Sequence, residues 1–343
     1  MGTPEELVVR IVELKGDYYQ FGMEQAGEIK SSPTLDQMEP LKELTKNSNI
    51  ENAKEIINKV SPNLYKELQG LSTGLGMDFD TTVKLFSGYD VLFPTMGCTT
   101  LATGGYYVRN YDFSPEMYDG RLVFTKPLDG YASIGFSQQV IGRLDGMNEK
   151  GLVAGLHFVN NEHREEGFMA TAIVRMLLEQ CANCEEAIAF ITEIPHGYCY
   201  NYSILDKSGR SILIEASPQQ QVVRFENPLI CTNHFEAEAL ENKNRLQVQG
   251  SIKRKEYVKS IGSEGLSLIS AYRHFNNDRS PLFLKHYTEY FGTLHTVVYS
   301  PGDLSIVIGI GENATPLIVN LTDYMEGTLP LPHSIKGIIH REK

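Results

Sequence analysis

Cys98 follows Gly97 and precedes Thr99 and Thr100, and the run Val108-Arg109-Asn110-Tyr111-Asp112 comes shortly after it. A thiol, a guanidinium and a carboxylate this close together can make an activated nucleophile. Between them, Gly104-Gly105 is a two-residue turn signal joining two strand-like runs, Thr99 to Thr103 and Tyr106 to Asp112. In that hairpin Cys98 lies opposite Tyr111, with Arg109 on the same face one diagonal step, about 7–8 Å, away. A cation beside a thiol favours the thiolate and lowers its pKa from about 8.5. Asp112 points to the other face of a regular strand, so it joins Cys98 only through a bulge or if the strand has ended. A strand-end ion pair between Arg109 and Asp112 accounts for the same spacing without any chemistry.

Other motifs carry less. There is no P-loop and no His-Glu-x-x-His. Gly309-Ile310-Gly311 lacks a third glycine, and Pro316 breaks the helix a pyrophosphate would need, so it reads as a turn. Cys181-Ala182-Asn183-Cys184 has the look of a zinc half-site, but no second pair exists and it falls inside an expected helix. The nine histidines are scattered without ligand spacing. No metal and no cofactor are expected.

The elements that must position Cys98 fall into two textures. Residues 1 to about 96 read as mostly helical after a short strand, Val8 to Leu14. Helical spacing covers Tyr18 to Ile29, and Ile50 to Leu71 with a break at Pro62. Asp80 and Thr81 look like caps for a helix reaching Tyr89. Lys30 to Asp36 reads as a loop. From Cys98 onward short strands dominate: Tyr131 to Ser137, Val140 to Met147, Leu152 to Val159, Tyr202 to Leu205, Ser211 to Glu215, Gln220 to Phe225 and Leu229 to Thr232. One long helix, Met169 to Ile194, interrupts them, and a polar helical segment spans Glu236 to Ile261. A last hairpin joins His295 to Tyr299 with Leu304 to Gly309. Runs such as Ile212-Leu213-Ile214 and Ile306-Val307-Ile308 are apolar on both faces, so the sheets are covered on both sides.

Composition bounds the answer. The chain has 343 residues, 41% hydrophobic and 22% charged, which is enough apolar surface for one large or two ordinary domains. Its net charge of −12 argues against nucleic acid or an anionic membrane as partner. No apolar run is long enough to span a bilayer, and the acidic first residues show no signal peptide. Position 6 is Glu6, which disfavours myristoylation at Gly2. Five cysteines, an odd and sparse set, read as reduced cytoplasmic thiols.

Gly97-Cys98-Thr99, Arg109-Asn110-x-Asp112, Asn148-Glu149-Lys150-Gly151-Leu152 with Ala154-Gly155-Leu156, and Thr232-Asn233 together resemble the N-terminal-nucleophile (Ntn) hydrolases of the choloylglycine hydrolase and penicillin acyltransferase group. The likeness spans about residues 98 to 260. It implies an α+β fold, a four-layer αββα sandwich of two stacked antiparallel sheets with outer helices. Residues 1–97 would be a mostly helical propeptide kept as a small subunit, and 98–343 the catalytic domain. The precursor would cut itself between Gly97 and Cys98, and Cys98 would then serve as nucleophile with its own α-amine as base. Arg109 and Asp112 would position the thiol and amine, and Asn233 would donate to the oxyanion. The group's second oxyanion asparagine is His157 here. Asn148 and Arg254, the latter in Ser251-Ile252-Lys253-Arg254, are further substrate-side candidates.

The activity implied is cleavage of a linear amide C–N bond, or transfer of its acyl group, through a thioester on Cys98. The partner is a small-molecule amide: bile salts, penicillins, lactone-derived amides and peptide-like amides all stay open, and so does a homo-oligomer. Two other readings compete. One is a papain-like hydrolase pairing Cys98 with His157, His234 or His295, without self-cleavage. The other is an unprocessed, non-catalytic member of the fold.

Overall fold

The computed structural model describes residues 2–31, 39–92, 96–262, 265–289 and 291–341. The chain opens with β1 (Thr3–Gly16), α1 (Tyr18–Lys30), α2 (Glu39–Leu44), α3 (Ile50–Val60), α4 (Pro62–Leu75) and α5 (Phe79–Phe86). A run of strands follows: β2 (Gly97–Ala102), β3 (Tyr107–Phe113), β4 (Arg121–Pro127), β5 (Ser133–Gln138), β6 (Gly142–Asn148) and β7 (Val153–Asn160). Next come α6 (Ala170–Gln180), α7 (Cys184–Glu193), β8 (Cys199–Leu205), β9 (Ser211–Ala216), β10 (Gln221–Phe225) and β11 (Leu229–Cys231). The chain continues with α8 (Gln249–Ile261), α9 (Leu268–Phe275), β12 (Lys285–His286), β13 (Phe291–Ser300) and β14 (Ser305–Ile310). It closes with β15 (Leu317–Asn320), α10 (Leu321–Glu326) and β16 (Ser334–Arg341).

The strands form two stacked sheets. One has the order β10-β9-β8-β7-β6-β5-β4-β1-β16; the other runs β11-β2-β3-β13-β14-β15, with β12 on β13. Helix α6 covers the first sheet at β6 and β7, while α8 and α9 cover the second at β2, β3, β11 and β13. The result is the expected α+β sandwich. Every residue of β9 is buried, as its unbroken apolar run requires. One pair departs from the antiparallel expectation: β1 lies parallel to β4. The opening strand is also longer than expected and sits inside the sheet, between β4 and β16.

Local chemistry explains where the elements differ from the sequence reading. The N-cap of α5 is Asp78, whose side chain accepts from Thr81 N, so the helix begins before Asp80 and stops at Phe86. The span 169–194 is two helices. Asn148 Nδ2 donates to Leu178 O and Cys181 O at the end of α6, and the Asn183 side chain caps α7. The Cys181–Cys184 segment is therefore the break between helices. Residues 236–248 are not a continuous helix, because Glu215 takes the backbone N–H groups of Glu236 and Ala237 while Asn244 brackets Phe235. The loop expected over Lys30 to Asp36 lies, from residue 32 on, outside the described residues. Strands β4, β12, β15 and β16 and helices α2, α9 and α10 lie outside the elements read from the sequence.

Candidate active site

The β2–β3 hairpin forms in the expected register, with Cys98 opposite Tyr111 and Thr103 N donating to Tyr106 O at 2.9 Å. Arg109 Nη2 reaches Cys98 Sγ at 2.8 Å and donates to Leu156 O at 2.7 Å. Its other amino group, Nη1, pairs with Asp145 on β6, so the side chain crosses from one sheet to the other. Space for that crossing comes from Gly155, where a β-carbon would stand 2.1 Å from Tyr107 Oη and 3.2 Å from Arg109 Cδ. The ion pair between Arg109 and Asp112 does not form among the described residues; the carboxylate taken is Asp145.

Strand β11 pairs Cys231 with Thr100, and continuing that register brings Asn233 level with Cys98. The Asn233 backbone N donates to Ser251 Oγ at 2.7 Å, which ends the strand there. Asn233 Oδ1 accepts from Cys98 N at 2.9 Å and from Arg254 Nη2 at 2.7 Å. Both partners are donors, which fixes the orientation of the amide. Its Nδ2 donates to Phe158 O at 2.9 Å and faces Met96 O at 3.5 Å. Arg254 Nε donates to Thr99 Oγ1 at 3.0 Å.

Asp112 lies opposite Gly97 rather than against the thiol. A bulge in the partner strand β13, between Thr293 and His295, sets Thr293 against it. Thr293 Oγ1 donates to Asp112 Oδ1 at 2.6 Å, while Oδ2 is buried without a partner. A β-carbon on Gly97 would stand 3.0 Å from that free oxygen and 2.5 Å from Phe291 Cζ. Burial raises the Asp112 carboxyl above its ordinary range.

Cys98 itself has no exposed surface. Burial pushes its thiol up to about 12; Arg109 pulls in the expected direction but is outweighed, and Asp112 and Asp145 add to the rise. His157, also buried, is pushed well below the usual imidazole value by burial and then by Arg109.

Asn148 stands apart from this cluster. Its Nδ2 holds the end of α6 and its Oδ1 accepts from Lys150 N and Leu152 N in the β6–β7 turn. The three histidines of the papain-like reading also have partners other than the thiol. His157 Nε2 meets Ser203 Oγ at 2.8 Å, His234 Nδ1 meets Ser251 Oγ at 2.8 Å, and His295 Nδ1 meets Tyr118 Oη at 2.8 Å.

Sequence reasoning missed Asp145, Thr293 and Tyr299, whose hydroxyl donates to Asp145 Oδ1 at 2.6 Å. The available signal was Arg109 itself: a buried guanidinium needs a buried carboxylate, and Asp145 is the one carboxylate in the strand run Val140 to Met147. Among the described residues no group of His, Cys, Asp and Glu is arranged to hold a metal, and no helix is long and apolar enough to cross a membrane.

The geometry can be set beside known proteins. Residues 100–315 match the profile of a family described as acyl-coenzyme A:6-aminopenicillanic acid acyl-transferase. No curated protein matches the chain. Similar solved structures include a mutant of conjugated bile acid hydrolase from Clostridium perfringens, 15% identical, with a TM-score of 0.48 over 67% of this chain and 93% of that one. Penicillin V acylase from Agrobacterium tumefaciens is 14% identical, with a TM-score of 0.45 over 66% of this chain and 86% of that one. The profile spans more than half of the sequence, from the strand that carries Cys98 to the loop before β15, and on that match the chain belongs to the acyl-coenzyme A:6-aminopenicillanic acid acyl-transferase family.

Proposed function

We propose that this chain is a self-processing cysteine Ntn enzyme that cleaves a linear amide or transfers its acyl group. The observation that carries the reading is the paired hold on one residue: Arg109 on the Cys98 thiol and Asn233 on the Cys98 nitrogen. A nucleophile whose own amine is the base needs both atoms fixed at once.

Processing starts when the Cys98 thiol attacks the Gly97 carbonyl carbon. A C–S bond forms, the Gly97–Cys98 C–N bond breaks, and the nitrogen takes a proton to become an amine. Water then splits the thioester, leaving a Gly97 carboxylate and a free thiol. Before the cut, the Cys98 nitrogen is an amide and cannot act as base, so we assign the first proton to Asp112 Oδ2, the unpartnered oxygen beside Gly97, reached through one water because this carboxylate does not lie against the thiol. After the cut, the α-amine has a pKa of about 7.7–8.0 and takes over. Withdrawal of the new Met96–Gly97 chain end frees the space that Asn233 Nδ2 faces, and that amide then donates to the oxyanion of an incoming substrate. The acyl group leaves Cys98 on water or on an amine. No cofactor takes part.

Residues 1–97 stay attached as a small subunit in this scheme. Support comes from β1, which lies between β4 and β16, and from buried Arg175 on α6, whose Nη2 meets Glu67 Oε2 of α4 at 2.6 Å. The substrate is a small amide of the kind the neighbours' names suggest, a conjugated bile acid or a penicillin side-chain amide. Intact mass and N-terminal sequencing of purified protein test the reading: two pieces beginning at residue 1 and at Cys98 are expected. A single full-length chain in a sample that turns over an amide would remove the self-processing scheme.

A further inference from the structure

The first and last strands of the sequence pair with each other. β16 runs antiparallel to residues 3–10 of β1, with Thr3 opposite Arg341 and Arg10 opposite Ser334. β4 runs parallel to residues 10–16 of the same strand, from Arg10 opposite Arg121 to Gly16 opposite Pro127. The two ladders overlap only at Arg10. β1 is therefore held in halves, the first by β16 and the second by β4. Among the described residues no other strand pairs with residues 3–9.

β16 is the edge of its sheet, and its outer side is fixed to the other sheet. Ile338 O accepts from Glu312 N at 2.8 Å, and His340 N donates to Glu312 Oε1 at 2.8 Å. Gly311, just past the end of β14, bridges Ile338. A β-carbon on Gly337 would stand 1.8 Å from Ile310 O, so glycine is what lets the strand pass this close to β14. Leu7 and Val9 of β1 and Ile339 of β16 are buried in one core cluster, and Ile335 packs against it. Lys336 Nζ meets Glu6 Oε1 at 3.0 Å, while Arg341 joins Glu5 of β1 to Glu116, the latter at 2.7 Å.

A cut at Gly97–Cys98 puts these two strands in different molecules, β1 in the small piece and β16 in the large one. Residues 1–97 contain no cysteine, so no disulfide can replace the lost covalent link. Departure of the small piece would take Glu67 from the buried Arg175 and uncover the edge of β4. We infer that β16 is a clasp, a strand of the large piece that closes over β1 and keeps residues 3–9 of the small piece in the sheet after the cut. The inference rests on the self-processing reading for its purpose, but the clasp is equally present in the uncut chain and is tested there first.

Hydrogen exchange read by mass spectrometry is run on the full-length Cys98→Ala chain, in which no cut occurs. Gly337→Ala pushes a methyl group into Ile310 O and should lift β16 from β14. Residues 3–9 should then exchange roughly tenfold faster, while residues 11–16 and α1 keep their rates. Ile339→Ala weakens the same strand from its apolar face and should act in the same direction. Unchanged exchange at residues 3–9 in both variants overturns the clasp, and so does an equal rise over residues 3–9 and 11–16 in both. With Cys98 restored, the cut protein is passed through size exclusion in a urea series and the fractions are identified by intact mass. At a fixed urea concentration, Gly337→Ala should raise the ratio of free to bound small piece roughly tenfold over wild type. An unchanged ratio overturns the retaining role. A chain that is neither cut nor active refutes the proposed function, while the exchange measurement still decides the clasp.

Discussion

Arg109 and Asp145 form an ion pair that joins the two sheets, and neither side chain has any exposed surface. Burial is the main reason why a guanidinium 2.8 Å from a thiol does not by itself produce a thiolate. It outweighs Arg109, and Asp112 and then Asp145 offset part of the cationic field, leaving the thiol pushed up to about 12.

Removing that carboxylate should therefore be costly. Asp145→Asn leaves Arg109 buried without its counter-charge and should destabilise the fold by about 3 kcal/mol. Burial alone would raise the Asp145 carboxyl, but Arg109, His295 and Tyr299 together lower it. A depressed folded-state value gives stability that is present above the unfolded carboxylate pKa, about 3.9, and is lost as pH falls through the folded value. The gap between wild type and variant in urea midpoint should accordingly narrow in acid. A gap that stays constant with pH would mean Asp145 is not the group responsible.

The two jobs of Cys98 can be separated. Cys98→Ala removes the nucleophile, so the chain should stay uncut and inactive. Cys98→Ser keeps a weaker nucleophile already beside the Gly97 carbonyl, and such proximity can replace roughly 7–11 kcal/mol of barrier. Partial cutting with little turnover of an external amide is expected, read by intact mass and by product release. An alanine variant with full activity would dismiss Cys98.

Asn233 also holds two things. Asn233→Ala should lower turnover by roughly two to three orders of magnitude. Asn233→Asp keeps an oxygen for Cys98 N and Arg254 but loses the Nδ2 hydrogens. Both variants should lose turnover, and only alanine should also release Arg254, seen as a lower melting temperature. Unchanged turnover in both would take Asn233 out of the mechanism.

The residue before the cut has little room. Gly97→Ala drives a methyl group toward Phe291 Cζ and Asp112 Oδ2. Overpacking of this kind costs about 1–3 kcal/mol, so self-cleavage should slow by roughly tenfold. Phe291→Ala in the same chain should restore most of the rate. Failure of that rescue would locate the effect elsewhere.

Self-cleavage should depend on pH through Asp112. Its carboxyl is raised by burial, and only the ionised form can accept the thiol proton. The rate should fall as pH drops through a midpoint above the ordinary carboxylate value of about 3.9. Thr293→Val removes the hydrogen bond that favours the ionised form, so the midpoint should move to higher pH. A flat acid limb in a time course of intact mass would exclude Asp112 as the base.

Local pattern was enough to place the candidate nucleophile beside its first neighbour. A two-glycine turn between two strand runs fixes the register, and a period of two fixes the face, so Cys98, Tyr111 and Arg109 follow from the sequence alone. The strand runs and their two-faced apolar character likewise gave the layered sheets. What sequence left open were contacts between residues far apart in the chain, which share no period. Asp145 for Arg109 joins the two sheets, while Ser203 for His157 and Thr293 for Asp112 join neighbouring strands within one sheet. Asn233 was recognised by its motif, yet its hold on the Cys98 nitrogen depends on β11 lying beside β2. The thiol shows the same division most plainly. The sequence placed a cation beside it, but the sign of the net shift was decided by burial between two covered sheets, a property of the whole fold.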